Sequence, residues 1–296
     1  MNKIILLLEK CIYTFYGIIK IILKSKFQSG KIVLNSEQKD CYVLGNGPSL
    51  HKDIRESGLT FKSENLIVVN YFGCSDLYNK LKPHYYVFAD SSFYVDNINQ
   101  EDQLFINNFF MDLREKTTWP LLLFVPHEGQ KRIQNLLKEN KHITVTGYNK
   151  VNTWKGFKWF DRFVYNKQWA TFSGINVAMV AIHLAIYAGF KRIYLLGVDH
   201  SWHKNIVVGD DNRLYVYDPH FYETEGLKPT PVAIKENNKI IYLKLHEWLG
   251  YLRKAFEVYH YIEDYAKYKK VKIINCTADS FIDAFERVKS QELYST

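Results

Sequence analysis

From Asp40 onward, short apolar, β-rich runs alternate with longer mixed segments, and no other feature constrains the fold as strongly. The runs are 41–44, 65–70, 84–89, 121–125, 142–146, 191–197 and 270–275. Strands separated by helical stretches imply an α/β fold: a Rossmann-like, mostly parallel sheet with helices on both faces. The clearest helix is expected over Ser173–Gly189, opened by Ser173 as its N-cap, closed by glycine and feeding the strand that ends at Asp199. A second long helix is expected from about Leu243 to Lys269.

In an open parallel sheet, a ligand binds outside the carboxyl ends of the strands. Those ends carry Gly45, Asn46, Gly47 and Ser49, then Asn70, Asp90, Asp199 with His200, and finally Asn275 with Thr277. These residues are mostly small or polar. That pattern suits a ligand crevice.

The "GNGPSL" turn at 45–50 would let bare backbone N–H groups approach an anion or a sugar ring, with Asn46 adding an amide and Ser49 a helix cap or a hydroxyl. It is not a GxGxxG fingerprint and lacks the lysine of a P-loop, so neither a dinucleotide nor a Walker site is indicated. Ser173 and Gly174 repeat the device at an expected helix N-terminus, where free N–H groups and the helix dipole favour a phosphate or carboxylate. In both places an ordinary strand turn or N-cap is the structural alternative.

The polar, aromatic-rich stretch 197–226 reads as a lid, and we place the lid at about 200–242. Within it, His220 stands between Pro219 and Phe221, a constrained setting that would hold an imidazole neutral as a general base requires. His200 is the competing candidate. His200, His203 and His220 with Asp199 and Asp218 match no familiar metal-ligand spacing, so no metal is expected.

The chain of 296 residues, 47% hydrophobic and 16% aromatic, is long enough for one large domain with an appendage. Its four cysteines form no CxxC pair, which points away from zinc and disulfide frameworks and toward a reducing cytosol. A formal charge of +8 favours anionic partners, but the basic residues are spread out and no nucleic-acid groove is suggested. Residues 1–24 are interrupted by Glu9, Lys10 and Lys20, so a membrane span is not expected. On a helical wheel, Lys3, Glu9, Lys10, Thr14, Gly17, Lys20 and Lys24 gather opposite Ile4, Leu8, Cys11, Ile12, Phe15, Ile18, Ile19 and Ile22. This pattern is that of a helix lying on an anionic membrane, and the alternative is a helix packed on the domain or on another subunit. Residues 25–39 read as a linker and 40–290 as the catalytic body.

With "YVLGNGPSL", "VVNYF", "YVFAD", "TFSGINVAMVAIHLAIYAGFKRIYLLGVD" and "IINCTADSFIDAFE" in order, the chain resembles the bacterial sialyltransferases of glycosyltransferase family 42. It also resembles the related domain-of-unknown-function family 115. The resemblance implies a single GT-A-like domain with a lid and an inverting transferase acting without a metal or other cofactor. The donor would be a CMP-sugar, a nonulosonic acid ester, and the acceptor an oligosaccharide or lipid-linked glycan of the bacterial surface. It implies nucleotide-sugar binding by Asn46, Asn70, Ser173, Gly174 and Asp199, a base at His220, and Tyr215 and Tyr217 on the leaving phosphate. The family's asparagine is replaced here by Asp90, and "HSWH" follows Asp199 where the family has an aromatic pair. A lipid-linked acceptor would place the enzyme in the cytoplasm, peripheral to the inner face of the membrane. Self-association is left open. The rival reaction within the superfamily is diphosphate transfer from ATP and Mg²⁺ to a pterin alcohol, which would draw on Asp199, Asp210, Asp211 and Asp218. A non-catalytic nucleotide-binding protein is the other alternative.

Overall fold

The computed structural model describes residues 3–27, 39–58, 65–95, 100–173, 175–217, 229–236 and 239–293. The helices are α1 (Lys3–Lys24), α2 (Leu50–Ser57), α3 (Leu77–Leu81), α4 (Gln100–Lys116), α5 (Gln130–Leu137), α6 (Lys158–Asn166), α7 (Val177–Ala188) and α8 (Leu245–Tyr268). The strands begin with β1 (Asp40–Leu44), β2 (Leu66–Val69), β3 (Tyr85–Val87), β4 (Leu121–Pro126), β5 (Ile143–Tyr148) and β6 (Arg192–Leu196). Five short strands follow: β7 (Ile206–Val208), β8 (Leu214–Val216), β9 (Thr230–Pro231), β10 (Ala233–Glu236) and β11 (Lys239–Tyr242). The last two are β12 (Lys272–Asn275) and β13 (Glu286–Arg287).

All seven expected strands form, and the short β13 joins them in one sheet of order β13-β12-β6-β1-β2-β3-β4-β5. Every described pairing in that sheet is parallel. From β1 the chain winds outward through β5, then returns to the other side of β1 with β6. A topological switch point therefore lies between β1 and β6, where a doubly wound sheet opens its ligand crevice.

Alternate side chains of each strand face opposite ways, and the sheet accordingly separates two cores. Cys41, Val43, Ile67 and Val69 pack with Met179 and Ile182 of α7 and with Tyr259 and Ile262 of α8. Tyr42, Leu44, Leu66 and Val68 pack with Leu50, Phe109, Phe110 and Ile133 on the other face. Both faces of the strands are buried, which is why the runs are almost continuously apolar.

One expectation is corrected by the fold. Helix α7 starts at Val177, and its N-cap is Asn176 rather than Ser173: Asn176 is extended and its Oδ1 accepts from the Ala178 N–H at 2.6 Å. Ser173 lies before the helix, with its carbonyl accepting from Asn152 Nδ2. Helix α1 packs its polar side on the domain, as the alternative reading had it, while its apolar side faces out. Thr14, Gly17 and Ile21 are buried, and Ile4, Leu8, Ile12, Phe15, Ile19 and Ile22 are exposed.

The close fit explains that orientation. Thr14 Oγ1 accepts from the Phe157 N–H at 2.9 Å, and a Cβ at Gly17 would lie 3.1 Å from the Phe160 ring and 3.2 Å from Thr153 Cγ2. Small residues let the helix backbone approach, so they turn inward and the large apolar residues remain outside. No described helix is long and apolar enough to cross a membrane.

The expected lid region holds a three-stranded antiparallel sheet, β7-β8-β9, and the β10-β11 hairpin. Leu214, Val232 and Leu243 give these strands a small core of their own. Residues 218–228 and 237–238 lie outside the described residues.

Candidate functional site

A cleft of about 340 Å³ opens at the switch point, between the carboxyl ends of β1, β2 and β6 and the N-terminus of α7. Gly45, Asn46, Gly47, Asn70, Asp199 and His200 line it, as the strand-end reading expected. Asn176, Trp202 and Trp248 line it too, and that reading did not single them out.

The glycine turn works differently from the expectation. Its N–H groups are already bonded: Gly45 donates to the Leu196 carbonyl and Gly47 to the Gly197 carbonyl, each at 2.8 Å. A Cβ on Gly45 would stand 2.3 Å from the Gly197 oxygen, and one on Gly47 would stand 1.8 Å from Asp199 Oδ2. The glycines therefore let the loops after β1 and β6 touch, rather than exposing these two donors to a ligand.

Ser49 belongs to the same knot. Its side chain makes no cap bond to α2. The Ser49 N–H instead donates to Asp199 Oδ1 at 3.2 Å, and its Oγ lies 2.9 Å from Asp199 Oδ2 and 3.0 Å from Asp53 Oδ2. Asp53 also accepts from the backbone N–H groups of Gly197 and Ala278, at 2.8 and 2.9 Å, so two buried carboxylates tie together the loops after β1, β6 and β12. Burial, with a smaller contribution from the neighbouring Asp53, pushes the Asp199 carboxyl up to about 6, and burial raises Asp53 as well. The separation of four residues between Ser49 and Asp53 was the available signal, since it sets both on one side of a helix start.

Asn46 is the member of the turn best placed for a ligand. Its Nδ2 donates to the Val69 carbonyl at 3.1 Å, which fixes the amide orientation. Its Oδ1 is then buried with no described partner. An unpaired buried acceptor costs free energy, and a ligand hydroxyl or amine would relieve it.

Asn70 is held at φ 42° by its neighbours: Ala89 N–H donates to its Oδ1 at 3.0 Å and Tyr86 Oη donates to its carbonyl at 2.5 Å. Asp90 caps a short turn through the Ser92 N–H, and it does not line the cleft. Asn275 and Thr277 are buried and bonded to Ser280, Ile282, Val198 and Leu195, so they hold the β12 loop rather than a ligand.

His200 is buried, with φ 53°, and its Nε2 lies 2.6 Å from Tyr259 Oη. Its ring rests on Trp202 at 4.3 Å. Burial lowers its pKa to about 3, so the imidazole is neutral across the physiological range and resists protonation. Tyr215 sits on β8, where its hydroxyl donates to Asp211 Oδ2 at 2.9 Å. Neither Tyr215 nor the exposed Tyr217 lines the cleft. Ser173 Oγ is buried without a described partner beside the cleft-lining Ile175. His220, Gly174 and Asp218 lie outside the described residues.

Among the described residues, no group of three or more His, Cys, Asp or Glu side chains is placed to hold a metal ion. Asp199 is tied into the Ser49 knot, while Asp210 and Asp211 are exposed on the β7–β8 turn. Among the described residues, the acids that diphosphate transfer would draw on are thus divided between two places.

A solved structure of a MAf glycosyltransferase from Magnetospirillum magneticum AMB-1 shares the fold, with a TM-score of 0.52 at 14% identity. The alignment covers 93% of this chain and 38% of that one. At this identity the likeness concerns the fold alone. No curated protein matches the chain. The family model described as 6-hydroxymethylpterin diphosphokinase MptE-like matches residues 14–205, from inside α1 to just past the cleft residues His200 and Trp202, so the chain belongs to the MptE-like family.

Proposed function

We propose that the protein is an inverting glycosyltransferase whose switch-point cleft holds a nucleotide-activated sugar, a CMP-linked nonulosonic acid in the finest form of this reading. The unpaired Asn46 Oδ1 carries it: a buried acceptor at the cleft wall fits an amine of a base or a hydroxyl of a sugar. The N-terminus of α7 beside it favours the nucleotide phosphate. The glycosyltransferase fold of the MAf structure agrees with this class of reaction.

In this mechanism the acceptor oxygen attacks the anomeric carbon, its proton passes to a base, and the nucleotide phosphate leaves. His220 remains the proposed base. His200 is better suited to positioning, because its burial opposes the imidazolium that a base must become. Tyr215 and Tyr217 would serve the leaving phosphate only if the β7–β8 hairpin came over the cleft. In this reading the nucleotide phosphate leaves without help from a metal. The exposed apolar face of α1 would hold the enzyme on an anionic membrane surface.

The family match favours a second reading, diphosphate transfer to a pterin alcohol. A thermal-shift panel of CMP, UDP, GDP and ATP, each with and without Mg²⁺, separates the two, because a ligand that binds only the native state raises its melting point. The transferase reading predicts a shift with CMP that does not depend on Mg²⁺. A shift confined to ATP with Mg²⁺ would give the site to diphosphate transfer. Under the glycosyltransferase reading, His220→Ala should lower transfer by about 10²- to 10⁴-fold while leaving the CMP shift in place.

A further inference from the structure

A second and larger pocket, of about 450 Å³, adjoins the cleft and shares Ile175, Trp202 and Trp248 with it. One wall is α1, through Tyr13, Tyr16, Gly17 and Lys20, and the opposite wall is α8, through Tyr251 and Lys254. Helix α1 is thus part of a site, and not solely an appendage. Its docking is specific: Thr14 Oγ1 accepts from the Phe157 N–H, and a Cβ at Gly17 would crowd Phe160 and Thr153.

The walls combine two chemistries. Tyr16, Trp154, Trp202 and Trp248 supply aromatic rings, and the Trp248 Nε1–H is buried without a described partner. Lys20 Nζ lies 4.5 Å from the centre of the Tyr16 ring and 3.4 Å from Asn152 Oδ1, and Lys254 Nζ lies 5.4 Å from the centre of the Tyr251 ring. Among the described ion pairs, Lys155 meets Glu257, whereas neither Lys20 nor Lys254 meets a carboxylate. Flat rings and hydrogen-bond donors suit the faces and hydroxyls of a saccharide. Lysines without carboxylate partners suit an anionic group on it. A purely apolar occupant would satisfy neither the lysines nor the indole N–H.

We propose that this pocket is the acceptor subsite and takes a saccharide bearing a carboxylate or phosphate, delivered beside the nucleotide cleft across Trp202 and Trp248. Its acceptor role rests on the donor reading of the cleft, and its ligand class does not. The test is titration of the full chain, without nucleotide, with cellobiouronic acid and with neutral cellobiose, followed by calorimetry or saturation-transfer NMR.

The acid should bind at least about tenfold more tightly at low salt, and the gap should narrow as salt rises. The Lys20→Gln/Lys254→Gln double variant should close the gap while its melting-point shift with CMP stays that of the unaltered protein. That second readout shows that the variant is folded. Equal binding of both sugars, binding of neither, or a preference that survives the double variant would overturn the proposal. Acid binding together with no CMP shift would keep the saccharide site and remove its acceptor role. A CMP shift with no acid binding would remove the site and leave the donor reading standing.

Discussion

Asp53 and Asp199 meet on one hydroxyl: Ser49 Oγ lies 3.0 Å from an oxygen of the first and 2.9 Å from an oxygen of the second. A hydroxyl has one proton, so it donates to one carboxylate and is well paired with the other only when that one is protonated. Burial, with a smaller contribution from Asp53, pushes Asp199 up to about 6 although its bonds from Ser49 pull the other way. Since this lies above the unfolded value of 3.8, the native state binds more protons between the two. The group's contribution to stability is full below the unfolded pKa and is lost as pH rises through about 6.

Asp199→Asn imitates the protonated form, accepting from the Ser49 N–H and donating to Ser49 Oγ. Urea unfolding near pH 4.5 and near pH 7.5 should show the variant gaining on the unaltered protein by about 2 kcal/mol at the higher pH. Asp199→Ala should instead lose about 1–3 kcal/mol, because the Ser49 N–H loses its acceptor. An Asn variant with an unchanged pH slope would contradict the shared-proton account.

His183 makes the opposite prediction. It is buried in α7 among Tyr165, Phe172 and Tyr265, parallel to the last at 5.7 Å, and neither ring nitrogen has a described partner. Burial depresses its pKa to about 3, so stability from this group is present above the ordinary value of 6.5 and is lost as pH falls toward 3. His183→Phe keeps the stacked ring and removes the titration. Its advantage over the unaltered protein should be about 2 kcal/mol larger at pH 5 than at pH 8. Denaturation midpoints that differ equally at both pH values would refute this.

Helix α1 should have two separable roles. Deleting residues 1–24 should release the protein from anionic liposomes, because the exposed apolar face of α1 is lost. Gly17→Leu should keep liposome binding but undock the helix, since its first added carbon already meets Phe160 and Thr153 at 3.1 and 3.2 Å. Binding of the acidic saccharide should then fall by at least about tenfold, a change of 1.4 kcal/mol. Full-length and truncated proteins that sediment equally with liposomes would remove the membrane role.

The strands and the cleft were legible because their signal is local. A run such as Cys41–Leu44 bounded by Gly45 announces a buried strand and its end, and parallel topology then collects the ends in one place. What the sequence hid depends on contacts between distant segments. Amphipathicity reveals that α1 has two sides but not which one faces the protein, and small residues at Thr14 and Gly17 decided that. The glycines of the turn read equally well as ligand contacts or as loop packing, and only the nearness of Gly197 and Asp199 distinguishes them. Tyr259, which holds His200, lies on a helix far along the chain, and no spacing rule links the two.

The central claim is that the switch-point cleft binds a cytidine nucleotide through Asn46, and calorimetric titration of CMP into the full chain tests it most directly. The account predicts binding that does not require Mg²⁺ and that weakens about tenfold in Asn46→Ala, the effect of losing one buried hydrogen bond. Absence of CMP binding where UDP, GDP or Mg²⁺-ATP binds, or equal CMP affinity in Asn46→Ala, would contradict it.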